Sequence, residues 1–143
     1  MRILCLDYGD KFTGIAVSDD SESIAVPLVV IMSHEIKKLI KIIVDYKVKR
    51  IVIGMPKKLN GANNKQCEKV CKFKKKLENK IKKISIDNSR FTDIVFWDER
   101  FSTIGAKNNI MSLRLNLQKE KKVIDKHAAT FILQGYLDFK NFN

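Results

Sequence analysis

The stretch 6-LDYGDKFTGIAVSD-19, from Leu6 to Asp19, decides how this chain begins. An apolar run ends on the carboxylate of Asp7, turns through Tyr8-Gly9-Asp10-Lys11, and resumes as Thr13–Ser18. Two strand-like runs around a short glycine-containing gap predict a hairpin, with Gly9 available for positive φ. The second run carries Gly14, Ala16 and Ser18 on one side, so another backbone or a ligand can come close there.

Outward from this hairpin, Ile24–Ile31 is β-branched with Pro27 inside it, which predicts an edge strand. His34–Tyr46 places Ile36, Leu39, Ile40 and Ile43 on one helical stripe. Arg50–Gly54 reads as a short buried strand, followed by the loop MPKKLNG with an Asn60-Gly61 turn. A long helix is predicted from about Asn64 to Ile84, with Cys67, Val70, Phe73, Leu77, Ile81 and Ile84 as its apolar stripe. Its lysines fall mostly elsewhere and read as a solvated face. Asp87–Asp93 reads as a polar loop, and Ile94–Trp97 as a strand ending at Asp98-Glu99. Ser102 or Thr103 can cap a helix running to about Leu117. Lys119–Lys122 is a charged connection, and Asp125 opens a last helix through Leu137. The order β-β-β-α-β-α-β-α-α predicts an α/β fold with a mixed sheet, in one domain spanning residues 1–143.

Composition narrows the class. An apolar fraction of 45% is that of a globular protein, and no stretch has the length to span a membrane. The N-terminal apolar run stops at Asp7 without a signal-peptide core, which predicts a cytoplasmic protein. Three cysteines, with Cys67 and Cys71 four apart and no zinc spacing, read as reduced thiols. The net charge of +12, from 28 basic against 16 acidic residues, permits a polyanionic partner such as nucleic acid.

Three acids fall at element ends: Asp7 after the first strand, Glu99 after a later one, and Asp125 at the last helix. Parallel strands of one sheet gather their carboxyl ends at one edge. Carboxylates gathered there repel unless protonated or bound to a cation, and Mg²⁺ accepts such oxygen ligands. Paired divalent ions can activate water and steady a leaving oxygen in phosphodiester hydrolysis. Each acid also has a plainer reading: Asp7 as a turn residue, Glu99 as a surface partner of Arg100 or a lysine, Asp125 as an N-cap. The small residues Ala128 and Ala129, like Gly14 and Ala16, lie beside an acid and favour the site reading.

The ordered motifs LDYGDKFTGIAVSD, IVIGMPKKLNG, WDERFST and IDKHAATFILQGYLD resemble those of the YqgF (RuvX-like) family over nearly the whole chain. The resemblance implies a ribonuclease-H-like fold and a Mg²⁺- or Mn²⁺-dependent nuclease. It implies a role in maturing the 5′ end of pre-16S ribosomal RNA, or, by likeness to RuvC-type enzymes, in resolving Holliday junctions. The implied catalytic and metal-holding residues are Asp7, Glu99 and Asp125. Lys57 and Lys58 follow the Gly54 strand end at the same edge as the acids and are candidate phosphate contacts. Arg100 is a second candidate, to orient Glu99 or meet phosphate, and Ser102 and Thr103 at a helix start a third. Lys11 keeps the family's cation after the turn, but Phe12 stands where the family has arginine. Phe12 can stack on a base but cannot grip a phosphate through two parallel bonds. His127 lies where the family often has an apolar residue, and reads as a partly exposed helix residue. Monomer and homodimer both fit the sequence, and symmetric cutting of a four-way junction requires two active sites and hence a homodimer. Two other classes fit parts of the sequence: an ATP-binding lobe built on the Asp7 hairpin, and a non-catalytic nucleic-acid-binding module.

Overall fold

The computed structural model describes residues 1–55, 64–88, 93–98 and 121–142. Five strands, β1 (Arg2–Tyr8), β2 (Phe12–Ser18), β3 (Ala25–Met32), β4 (Val48–Met55) and β5 (Asp93–Asp98), form one sheet in the order β3-β2-β1-β4-β5. β1, β4 and β5 run parallel, while β2 is antiparallel to both its neighbours. Three helices are described: α1 (Ile36–Asp45), α2 (Asn64–Asn88) and α3 (Lys121–Phe142). The mixed α/β sheet is the one the sequence predicts.

The central strands read as continuous apolar runs because both faces of the sheet are covered. Side chains alternate across β1: Leu4 and Leu6 join Ile51 and Ile53 under Leu39 and Ile43 of α1 and Val70, Phe73 and Leu77 of α2. Ile3 and Cys5 face the other way, where Val52 and Trp97 pack under Ala129, Ile132, Leu133 and Leu137 of α3. Pro27 sits on the edge strand as expected, and the β2–β3 register slips between Ile15 and Ala16, which pair with Val29 and Pro27. A bulge on an edge strand is where a residue without an N–H does least harm.

Two boundaries and the reason for one glycine differ from the sequence reading. α2 continues through Asn88, so part of the predicted polar loop is helical. Ser85, Asp87 and Asn88 are weak helix formers, and a helix already propagating carries them at little cost. α3 begins at Lys121, four residues before Asp125, and runs on to Phe142. Asp125 therefore lies inside the helix and is not its N-cap, and part of the charged connection belongs to that helix. The third difference is Gly9. A Cβ there would stand 2.6 Å from the carbonyl oxygen of Phe12, so space, and not a left-handed backbone, requires glycine. The Ser102–Leu117 helix and the Asn60-Gly61 turn lie outside the described residues.

Candidate active site

Asp7 is the penultimate residue of β1, at the carboxyl edge of the three parallel strands. It pairs across the ladder with Gly14 of β2. On its other side Leu6 pairs with Ile53, so the next step of β4 along the same row is Gly54. Asp7 is thus flanked on both sides by residues without side chains, and Gly54 in turn pairs with Trp97 of β5. By alternation the row faces α3, as Cys5 and Val52 two residues earlier do. The second glycine also sets how close that helix comes, since a Cβ on Gly54 would lie 2.9 Å from Ile132 Cδ1.

The direction of α3 follows from its contacts. Ile132 meets Gly54 near the end of β4, whereas Tyr136 accepts a 2.8 Å hydrogen bond from Arg50 near its start. The helix therefore runs against β4, with its N-terminal turns at the carboxyl edge. Position 125 precedes Ile132 by seven residues, which is about two turns along the same helical stripe. The backbone thus brings Asp125 toward the edge that carries Asp7. The side chain of Asp125 lies outside the described residues.

Asp98 closes β5, pairing with Met55. It follows Trp97, which faces α3, so alternation turns Asp98 toward the opposite side of the sheet from Asp7. Glu99 is the next residue, and with Lys57, Lys58, Arg100, Ser102 and Thr103 it lies outside the described residues. Among the described residues no three His, Cys, Asp or Glu side chains converge on a metal position. His127 is half-buried on α3, as its sequence reading has it.

The hairpin behind Asp7 is tied down by contacts that the sequence did not announce. Gly9 N donates to Phe12 O at 3.0 Å, and Ser33 N to Lys11 O at 2.9 Å. The Ser33 hydroxyl donates to Gly9 O at 2.5 Å and shares a 2.8 Å hydrogen bond with buried Thr13. Tyr8 stacks on Phe73 of α2 with centroids 4.4 Å apart, and Lys69 reaches Asp10 at 3.0 Å. A hydroxyl in a β-branched strand, Thr13, was the one available hint, because a buried hydroxyl needs a partner. Lys11 is exposed at the tip, with its ammonium 5.6 Å from the centre of the half-buried Phe12 ring. The retained cation and the aromatic residue that replaces the arginine therefore lie against one another.

Comparison with known proteins places this architecture. Residues 1–139 match the family described as "RuvX: Holliday junction resolvase". A protein of Caldanaerobacter subterraneus subsp. tengcongensis is 41% identical over 143 residues, covering 96% of each chain, and one of Desulforamulus reducens is 44% identical, covering 96% of this chain and 97% of its own. Both carry the name "Putative pre-16S rRNA nuclease". The fold is shared with Thermus thermophilus RuvC bound to a Holliday junction, at a TM-score of 0.61 and 9% identity over 100% of this chain and 97% of that one. It is shared also with the fowlpox virus resolvase, at a TM-score of 0.52 and 14% identity over 98% and 99% of the two chains. With nearly its full length matched in sequence and its sheet in architecture, the chain belongs to the RuvX family.

Proposed function

We propose that this nuclease hydrolyses a phosphodiester bond in the 5′ leader of pre-16S ribosomal RNA, with Asp7, Glu99 and Asp125 as its catalytic acids. The observation that carries the reading is the row Gly14–Asp7–Gly54. A carboxylate stands at the carboxyl edge of parallel strands with no side chain on either neighbour, under the end of a helix whose stripe includes Asp125. Asp98 turns to the other side of the sheet, which supports Glu99 as the acid contributed by the β5 segment. The family's nuclease activity and its relatives' name agree with this reading.

The donor set is made of carboxylate oxygens, which suits Mg²⁺ or Mn²⁺ and not a soft metal. Asp7, Glu99 and Asp125 would hold the cations, which supply a polarised water and neutralise charge on the reacting phosphate. The chain's own residues then bind and orient. Lys11 at the hairpin tip, with Lys57, Lys58 and Arg100, would contact phosphates beside the cut. Ser102 and Thr103 would offer hydrogen bonds to a neighbouring phosphate. Phe12 would orient the strand through stacking, either directly or by holding Lys11. The setting is the cytoplasm, where Cys5, Cys67 and Cys71, none of them in a disulfide here, stay reduced. Among the described residues no helix is long and apolar enough to cross a membrane.

The family's own description favours a second reading, cleavage of four-way DNA junctions. The two part on substrate. With Mg²⁺ or Mn²⁺ present, the protein is expected to cut a labelled RNA spanning the 5′ end of 16S ribosomal RNA and to leave a four-way DNA junction whole. Cutting of the junction alone, in symmetric pairs by a dimer, would replace the first reading with the second.

A further inference from the structure

Six of the nine lysines of α2 lie on one line along the helix. Lys65, Lys69, Lys72, Lys76, Lys80 and Lys83 follow one another at intervals of four, three, four, four and three residues, which is a single helical stripe. All six are exposed. The stripe runs one residue out of phase with the buried series Val70, Phe73, Leu77 and Ile81, so it borders the core stripe. Its upper part lies at the hairpin, where Lys69 meets Asp10. Its lower part enters a groove of about 710 Å³ between α1 and α2, where Lys76, Lys80 and Lys83 face Lys37 across a floor that includes Ile36 and Ile84.

The one carboxylate lining this groove is already engaged. Glu35 binds Lys38 at 2.6 Å and accepts the Met32 N–H at 2.9 Å. Lys37, Lys76, Lys80 and Lys83 pair with no carboxylate among the described residues. Four cations converging on a concave surface repel one another, and a polyanion relieves that repulsion while releasing counterions. Apart from the imidazole of His34 at its mouth, the groove has no aromatic lining to stack bases, and its lysines suit a phosphate backbone. Lysine, a point charge on a flexible stem, suits phosphates without requiring one sequence.

We propose that the Lys69–Lys83 stripe and the α1–α2 groove form a second RNA-binding track, which carries the substrate backbone away from the catalytic edge around the hairpin tip. The track rests on RNA being the substrate but not on the identity of the catalytic acids. It lies on the opposite face of the sheet from α3, so it extends the substrate contact well beyond the phosphate being cut.

The test is binding of a fluorescent 40-nucleotide single-stranded RNA in EDTA, where no cleavage intervenes, as a function of salt. The variant Lys76→Glu/Lys80→Glu/Lys83→Glu is compared with Lys41→Glu/Lys75→Glu/Lys82→Glu, which changes net charge equally outside the groove. The groove variant is expected to bind at least tenfold more weakly near 0.1 M salt, with a log–log salt slope smaller by about 2. The control variant is expected to keep most of its affinity and slope. Lys37→Glu, on the opposite wall, is expected to weaken binding in the same direction, and circular dichroism confirms that each variant is folded. Equal losses in the groove and control variants would overturn the track, as would an unchanged slope in the groove variant. Intact RNA affinity with lost binding to precursor small-subunit particles would assign the groove to a protein and overturn it too. Because the readout is binding in EDTA, a failure to cleave any RNA would count against the nuclease reading without deciding this one.

Discussion

The two ends of the sheet use carboxylates differently. At the end where β1 and β4 begin, the acids hold the fold. Glu22 binds both Lys49 and Lys140, and Asn141 donates to its carbonyl at 3.0 Å, which ties the β2–β3 turn to β4 and the last turn of α3. Asp93 receives Arg50, whose guanidinium also reaches Tyr136, so β4, β5 and α3 are joined there. Hydrogen bonds donated to Asp93 and Tyr136 push the arginine still further up than usual. At the other end Asp7 stands between two glycines, with a helix approaching over it. Glu22 and Asp93 thus fasten the structure at one end, and at the other Asp10 ties the hairpin to α2 while the two glycines keep space beside Asp7. Across the ladder Asp93 faces Arg50, whereas Asp7 faces Gly14.

The sharpest way to break this comparison is to neutralise an acid at each end. Asp7→Asn is expected to lower cleavage by on the order of 10³-fold or more, while its melting temperature stays near that of the wild type. Glu22→Gln is expected to do the reverse, costing about 1 kcal/mol of stability in a denaturant titration and leaving cleavage nearly unchanged. A large loss of stability in the first, or of activity in the second, would dissolve the distinction.

A second prediction bears on the space above Asp7. Gly54→Val must displace Ile132, which lies 2.9 Å from where its Cβ would be. Overpacking of this kind costs about 1–3 kcal/mol, and here it also moves the helix that bears Asp125. Combining it with Ile132→Ala should return part of the activity, and a strictly additive double mutant would show that the contact is not the cause.

Acidity sharpens the comparison at the structural end. Hydrogen bonds from the Ser21 hydroxyl and from the N–H groups of Ile24 and Ser23 hold Asp19 down to about 2. Burial pushes Glu22 up, but hydrogen bonds and charge from Lys49 and Lys140 outweigh it, and the net direction is down. A depressed carboxyl stabilises the fold fully above its unfolded value, and that contribution is lost as pH falls through the folded value. Melting temperature is therefore expected to fall below about pH 4, and Asp19→Asn to remove part of that fall. The smallest effect concerns Lys47, which follows the C-cap Tyr46 of α1 with φ 51°, a conformation that favours glycine. Lys47→Gly is expected to raise stability by about 0.5–1 kcal/mol in the same titration.

Much of this architecture was readable from pattern. The apolar runs of β1, β4 and β5 and the stripes of α1 and α2 announce themselves because both sheet faces are buried. Asp7 was visible as a carboxylate closing such a run. The partnership of Asp7 with Gly54 was not, because it depends on which strand lies beside β1, and sheet order is not written in local periodicity. The start of α3 was misplaced at Asp125 for a related reason: Lys121 and Lys122 look like a linker, yet they form the first turn of α3. The lysine stripe was legible as a period, but its meaning required α1 to be set opposite α2.

The acid between the two glycines is the proposed seat of the chemistry. The most direct measurement is cleavage of a 5′-labelled pre-16S RNA fragment by the wild type and by Asp7→Asn across a Mg²⁺ and Mn²⁺ titration, with the melting curve of each protein recorded alongside. The account predicts metal-dependent cutting by the wild type, none by the variant at any concentration, and superimposable melting curves. Equal cutting by both proteins would contradict it.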